Sequence, residues 1–327
     1  MEKACLAILA LAAAYILDFV VGDPRWLPHP VRALGFLISV LEKAVRRLFQ
    51  SSPGLKFGGL VIVITAAGGS ALLAYCLLKA AYQANFLLGM VIEVYIFFSV
   101  FAGGDLYHHL SRVGSDLEQP GLHKARASVA LLVSRDTAAL DETGISRAAL
   151  ESLFENSADG LVAPLFFAAL GGPALAVFYK GVSTLDSMLG YRTESYKDLG
   201  YFSAKTDDLL NYIPARLTAL IIILAGILQG RGREGWKALL QDHDKHASPN
   251  SAWPEAAAAG VLGLRFGGSD YFKGGLVERP VINAGGELPS RRDIQRGLLL
   301  FRKVSIAAAV ILITFAYYLR SGEVFLF

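Results

Sequence analysis

Long apolar runs alternate with polar stretches along this chain. Ala4 to Val21 is apolar apart from Asp18, and Leu60 to Leu78 carries no charge. Asn85 to Phe101 follows after a short connection, so these last two runs predict a helical hairpin. Val304 to Leu319 is a fourth run, bracketed by Arg302, Lys303 and Arg320 as interfacial anchors. These runs approach the roughly 20 residues that an α-helix needs to cross a bilayer. Leu161 to Tyr179 is also uncharged, but Pro164 and the Gly171-Gly172-Pro173 triplet interrupt it, which predicts a kinked or re-entrant element. Leu217 to Leu228 has the shorter length of a buried or interfacial segment. The predicted fold class is all-α: a multi-pass integral membrane helical protein with polar cytoplasmic loops or a polar lobe. Residues 1–327 read as one membrane-embedded domain. Its polar catalytic region falls in 102–303, and 231–303, rich in Gly, Pro and charge, is a candidate soluble lobe.

Composition agrees with the pattern. The chain is 18% charged, against about 25% for an ordinary soluble domain. A net charge of +3 and the lack of a basic stripe with interleaved aromatics argue against a nucleic-acid partner. Cys5 and Cys76 both lie in apolar runs and read as small buried hydrophobes, not as a disulfide or zinc pair. Lys3 precedes the first run, but no small-residue cleavage pattern follows, so the run reads as a retained membrane helix. Gly22–Gly59 holds six Lys/Arg and Arg231–Lys303 holds twelve. That bias puts both, and the stretch after Phe101, on the cytoplasmic side of the cell membrane.

Three polar clusters carry candidate chemistry. The first is Gly22–Arg32, where prolines at 24, 28 and 30 stiffen a loop that presents Asp23, His29 and Arg32. The plain reading is an interfacial turn anchored by Trp26. The second opens with Ser134-Arg135-Asp136-Thr137 and continues in a helix with Ser146 as N-cap. On it Arg147, Glu151, Glu155 and Asp159 recur every four residues, beside Asn156. A solvated ion-paired face would explain such a stripe. It runs straight into an apolar segment, however, where carboxylates are costly unless they hold a cation or partner.

The densest cluster holds Lys180, Asp186, Lys205, Asp207, Asp208, Asn211 and Arg216. Hard oxygen ligands on a short helix suit Mg²⁺, which takes one or two carboxylates plus substrate phosphates. Asp207 and Asp208 are the metal candidates, and Lys180, Lys205 and Arg216 are the matching phosphate partners. His243 and His246 have a spacing that suggests a metal, but no third protein ligand is apparent nearby, so a polar turn or a substrate-contacting loop is favoured. Gly267-Gly268 and Gly274-Gly275, flanking Tyr271, permit close backbone approach to a ligand. Glu93 is either functional or a buried acid paired with a neighbouring helix. No Walker A loop, dinucleotide fingerprint or H-E-x-x-H is present.

Six motifs in order, GDPRWLPHPVRALG, SRDT, ESLFENSADGLVAPLFF, YKGVSTLDSMLGYR, SAKTDDLLNYIPARLTA and SPNSAWPEAAAAGVLG, resemble the adenosylcobinamide-phosphate synthase family of cobalamin biosynthesis (CbiB/CobD). The resemblance implies a membrane ligase that joins adenosylcobyric acid to aminopropanol phosphate, using ATP and Mg²⁺. It implies a corrinoid substrate, contact with membrane lipid, and association with other late cobalamin-pathway membrane enzymes. Within that reading, the acidic stripe of Glu151, Glu155 and Asp159 is left for a second metal or the amine, a role the family name does not settle. The loops at Asp23, His29 and Arg32 and at Ser248 and Asn250 become walls of the substrate site, with Arg135, Asp136 and Asn156. Two rival readings are a membrane prenyltransferase, because D-D-x-x-N and E-N-x-x-D resemble Mg²⁺–diphosphate motifs, and a non-catalytic membrane sensor.

Overall fold

The computed structural model describes residues 2–23, 29–272 and 275–321. The Pro24–Pro28 stretch with Trp26, and Gly274, lie outside the described residues. The chain is mostly helical, and its contacts divide it into two compact units. The first comprises Met1–Ala102, Ala163–Asn211 and Ala309–Phe327; the second comprises Gly103–Val162 and Tyr212–Ala308. Residues 231–303 fall within the second unit.

Three helices among the described residues are long and apolar enough to cross a membrane: Ser52–Ala84, Glu142–Leu189 and Arg291–Ser321. The count rises to five if each of two bent helix pairs is taken as one span, and Leu6–Val21 is a shorter apolar helix. These lengths are compatible with a membrane protein.

In the first unit, helix Pro30–Leu48 is amphipathic. It buries Leu34, Ile38 and Val45 against Ile62, Val63, Val182 and Leu185 while leaving Phe36 and Val40 exposed. Its start is set by Pro30 in the first turn and by His29, whose Nδ1 accepts the Val31 N–H at 3.3 Å. The expected hairpin is present: Gly69–Ala84 packs on Phe86–Val100, and Asn85 between them caps the second helix. Glu93 proves to be a buried acid that accepts a hydrogen bond from Tyr82 of the neighbouring helix at 2.5 Å. Cys76 is exposed, not buried as expected, beside exposed Leu72, Leu73 and Leu77. A helix face that meets lipid in place of protein has this composition.

The interrupted segment is helical on both sides of a break. Gly171 and Gly172 leave helical geometry, with Gly172 at φ +68°, inside Ala163–Leu189. Pro173 has no N–H to donate and its ring crowds the preceding turn, so the ladder must open here. Arg320 Nη2 donates to the Ala168 carbonyl at 3.0 Å. Arg320 thereby satisfies a carbonyl of the helix just before its break.

The second unit departs from the all-α expectation. It holds an antiparallel hairpin, β1 (Phe266–Phe272) and β2 (Gly275–Ile282), among its helices. A register shift falls between Phe266 and Gly268, opposite Ile282 and Arg279. Gly267 sits there at φ +77°, and a Cβ on it would lie 2.1 Å from the Pro280 carbonyl oxygen. The glycines read as points of close backbone approach are, where described, strand residues: Gly267 and Gly268 lie at the register shift, and Gly275 opens β2 opposite Phe272. Helix Ala252–Leu262 is buried from Pro254 through Leu262, and its small residues let helix Gly232–Asp242 approach closely at Gly235 and Gly260. Helix Glu142–Ser157 starts at Asp141, whose side chain accepts the Gly144 N–H at 2.7 Å. Ser146, the expected cap, is fully buried in mid-helix because Asp141 claims the terminus a turn earlier.

Candidate functional site

The second unit concentrates charge around Glu151, which is 1% exposed. Arg135 bridges two acids, with Nη2 at 2.7 Å from Glu151 Oε2 and Nη1 at 2.8 Å from Asp270 Oδ2. Arg147 Nη2 reaches Asp270 Oδ1 at 2.7 Å, and Arg279 Nη1 reaches Glu151 Oε2 at 3.0 Å. The Gly267 N–H donates to Glu151 Oε1 at 2.6 Å, and Arg147 Nη1 donates to the Gly267 carbonyl at 2.7 Å. The hairpin thus delivers Asp270 and Arg279 onto the face of helix Glu142–Ser157. Removing one partner of such a buried pair leaves the other charge stranded, typically at a cost of about 3–5 kcal/mol.

One turn along the helix, Glu155 meets His246 and Glu255. One donor atom from each lies within 4.8 Å of the other two. Glu255 is fully buried and neither oxygen takes a hydrogen bond from the described residues. Arg279 Nη2 stands 3.9 Å away. Burial first, then the charges of Glu155 and Glu151, push the Glu255 carboxyl well above the usual carboxylate range, against the pull of Arg279 and Arg135. Burial also lowers the His246 imidazole, favouring its neutral form. Burial opposes a charged Arg279, but Glu151, Glu255 and Asp270 outweigh it and hold the guanidinium protonated.

Arg216 is less free than the sequence suggested. Its guanidinium lies 3.4 Å from the Tyr212 ring centroid and 4.4 Å from that of Trp253. It donates to the Tyr212 carbonyl at 2.7 Å and to Asn250 Oδ1 at 3.3 Å. Asn250 N–H in turn donates to Ser248 Oγ at 3.3 Å, so these three predicted residues do meet. Asp136 accepts the Ala138 N–H and donates its own N–H to the Tyr271 carbonyl, while Asn156 donates to Ser152. A cleft of about 790 Å³ in the same unit is lined by Arg231, Lys237, Asp242, Asn283 and Arg296, among others, but by none of the Glu151 or Glu155 clusters. Polar side chains converge more tightly at Glu155 than along this cleft.

In the first unit, Asp186 on helix Ala163–Leu189 and Asp207 and Asp208 on helix Tyr201–Leu210 act on one another's charge. Asn211 caps the latter helix, donates to Asp207 Oδ2 at 3.0 Å, and accepts from the buried Tyr179 hydroxyl at 2.8 Å. Lys205 is exposed on the same helix. At the other end of the motif series, Asp23 pairs with Arg32 at 3.3 Å and faces His29 Nε2 at 3.8 Å.

Comparison with known proteins follows the same stretch of chain. The family model described as CobD/Cbib protein matches residues 11–301. The chain belongs to the CobD/CbiB family. Cobalamin biosynthesis protein CobD of Geobacter metallireducens is 44% identical over 270 residues, 82% of this chain and 84% of the relative. Cobalamin biosynthesis protein CbiB of Salmonella typhimurium is 40% identical over 312 residues, 94% and 97% of the two chains. CobD of Klebsiella pneumoniae is 40% identical over 319 residues, 96% and 99%. No solved structure matches. Membership in the CobD/CbiB family supports a role in cobalamin biosynthesis.

Within this CobD/CbiB chain, the residues singled out from sequence are divided between the units. Asp23, His29, Arg32, Lys180, Asp186, Lys205, Asp207, Asp208 and Asn211 belong to the first. Arg135, Asp136, Glu151, Glu155, Asn156, Asp159, Arg216, Ser248 and Asn250 belong to the second. Sequence reasoning missed Glu255, Asp270 and Arg279. Glu255 had a signal: it is the one charged residue between His246 and Arg265, in an otherwise alanine-rich helix. Asp270 and Arg279 become neighbours of Glu151 only through strand pairing.

Proposed function

We propose that this chain is an ATP-dependent ligase that forms the amide bond between adenosylcobyric acid and aminopropanol phosphate, giving adenosylcobinamide phosphate. The observation that carries this reading is the motif order along nearly the whole chain, joined to the Asp186, Asp207 and Asp208 carboxylates with Lys180 and Lys205 on the same two helices. The substrate carboxylate takes the terminal phosphoryl group of ATP and ADP leaves. The amine then attacks the acyl carbon and expels phosphate. Three carboxylates that repel one another offer the hard oxygen set that Mg²⁺ prefers, so Asp207 and Asp208, with Asp186 beside them, would hold the ion. Mg²⁺ supplies neutralising charge to the nucleotide phosphates. Lys180 and Lys205 steady the same phosphates, and Asn211 fixes the Asp207 rotamer through its amide. Asp23, His29 and Arg32 in the first unit, and Asp136, Asn156, Ser248 and Asn250 in the second, are proposed as substrate contacts of their own units. The protein would sit in the cytoplasmic membrane with this chemistry facing the cytoplasm.

Complementation of a cobalamin auxotroph blocked at cobinamide formation tests the reading. The wild-type chain should rescue growth and Asp208→Ala should not, with both found in the membrane at equal level. A well-expressed wild type that fails to rescue, or an Asp208→Ala variant that rescues fully, would overturn it.

A further inference from the structure

The charges around helix Glu142–Ser157 do not close. Four carboxylates (Glu151, Glu155, Glu255 and Asp270) face three guanidiniums (Arg135, Arg147 and Arg279). The imbalance is localised. Glu151 and Asp270 are met at 2.7–3.0 Å, whereas Glu255, with 0% exposure, accepts no hydrogen bond at either oxygen from the described residues. Protonation of Glu255 would balance the charge count but not the hydrogen bonding, since a buried carboxylic acid still carries a donor and an acceptor that need partners. A cation held between Glu255 and its neighbours does repair it, and the neighbours are the right kind. Glu155 contributes a second carboxylate and His246 a nitrogen, all within 4.8 Å of one another.

We propose that Glu155, His246 and Glu255 bind one divalent metal ion of borderline softness, such as Mn²⁺ or Zn²⁺. Imidazole with carboxylates suits those ions, while Mg²⁺ prefers an all-oxygen set with several waters. Glu155 and His246 are half-buried, so the ion's remaining positions face outward, towards water or substrate. The ring's present contact sets a condition. His246 Nδ1 accepts the Ser248 N–H at 3.0 Å. An ion binding at Nδ1 displaces that N–H, and an ion binding at Nε2 first requires the ring proton to move to Nδ1. Either route exchanges one neutral hydrogen bond for a metal–nitrogen bond, and either loosens the Ser248 turn. This site uses none of the aspartates of the ligase reading and does not rest on it.

The test uses the full chain in detergent, stripped with a chelator and titrated with Mn²⁺, with electron paramagnetic resonance as the readout. Beside any ion held at Asp186, Asp207 and Asp208, about one equivalent should bind with nitrogen coupling from an imidazole in the spectrum. Glu255→Gln and, as a half-buried alternative should that variant misfold, Glu155→Gln should weaken uptake about tenfold or more, as losses at metal sites do. His246→Gln should abolish the nitrogen coupling, while Asp208→Asn should retain the nitrogen-coupled signal. The proposal is overturned by a wild type that takes up neither Mn²⁺ nor Zn²⁺. It is also overturned by uptake unchanged in folded Glu255→Gln or Glu155→Gln, by a spectrum without nitrogen coupling, or by loss of the signal in Asp208→Asn.

Discussion

Two acid-rich regions look alike in the sequence and differ in how their charge is answered. Around Glu151, each of two buried carboxylates is met by guanidiniums drawn from a loop, a helix and a hairpin, at 2.7–3.0 Å. Around Asp207, three carboxylates act on one another with the same sign, and the amide of Asn211 is a neutral partner. The first arrangement joins pieces of fold that would otherwise have no reason to meet. In the second, Asp186 and Asp207 feel the like charge of neighbouring aspartates, which a fold tolerates where binding of a cation relieves it. The density of acids along a chain says little about which kind a cluster is. The source of the opposing charge decides.

The sharpest way to break this contrast is to strand the network's acids. Arg279→Met removes a guanidinium shared by Glu151, Asp270 and Glu255. It should cost on the order of 3–5 kcal/mol, read as a lowered unfolding midpoint in detergent. An unchanged midpoint would mean that the network does not support the fold. Gly267→Ala attacks the same network through the backbone. A side chain there must adopt φ +77° and meet the Pro280 carbonyl, and the displaced N–H would leave Glu151. Strain and overpacking together predict a loss of about 2–4 kcal/mol. Hydrogen exchange should rise at β1 and β2 more than in helix Pro30–Leu48. A uniform rise would argue that the bulge is not what anchors the hairpin.

Much of this was legible in the sequence, for physical reasons that differ by element. The apolar runs fixed their own helices because burial of a continuous stretch needs no knowledge of its partner. Gly172-Pro173 announced its break because the missing N–H is a local property. Asp207, Asp208 and Asn211 were readable because they share one helix at neighbouring positions. The Glu151 network was not, because Asp270 and Arg279 lie more than a hundred residues along the chain and arrive through strand register. The hairpin itself hid behind its glycines: Gly267 and Gly275 suggested close approach to a ligand, although Phe266, Tyr271 and Val277 near them are β-prone residues. The third ligand sought for His246 was absent locally for the same reason, since Glu155 and Glu255 lie on two other elements.

The smallest expected effect is the most telling, because it turns on sign and not on size. Asp186 shares helix Ala163–Leu189 with Lys180, is partly buried, and feels the like charge of Asp208, while Asp207 feels its own. Asn in its place keeps the shape, removes one charge from the repelling set and lowers the desolvation cost of the carboxylate. Asp186→Asn should therefore leave stability unchanged or raise it, on the order of 0.5 kcal/mol, while rescue of the cobalamin auxotroph falls. Glu151→Gln is the matched substitution in the other region. It deprives Arg135 and Arg279 of an anion held at 2.7 and 3.0 Å, so it should destabilise the chain. Opposite signs for two acid-to-amide changes, measured in one detergent at one pH, would separate a binding cluster from a structural one. If Asp186→Asn destabilises as Glu151→Gln does, the aspartates are holding the fold, and the case for a metal and phosphates at Asp207 and Asp208 loses its physical basis.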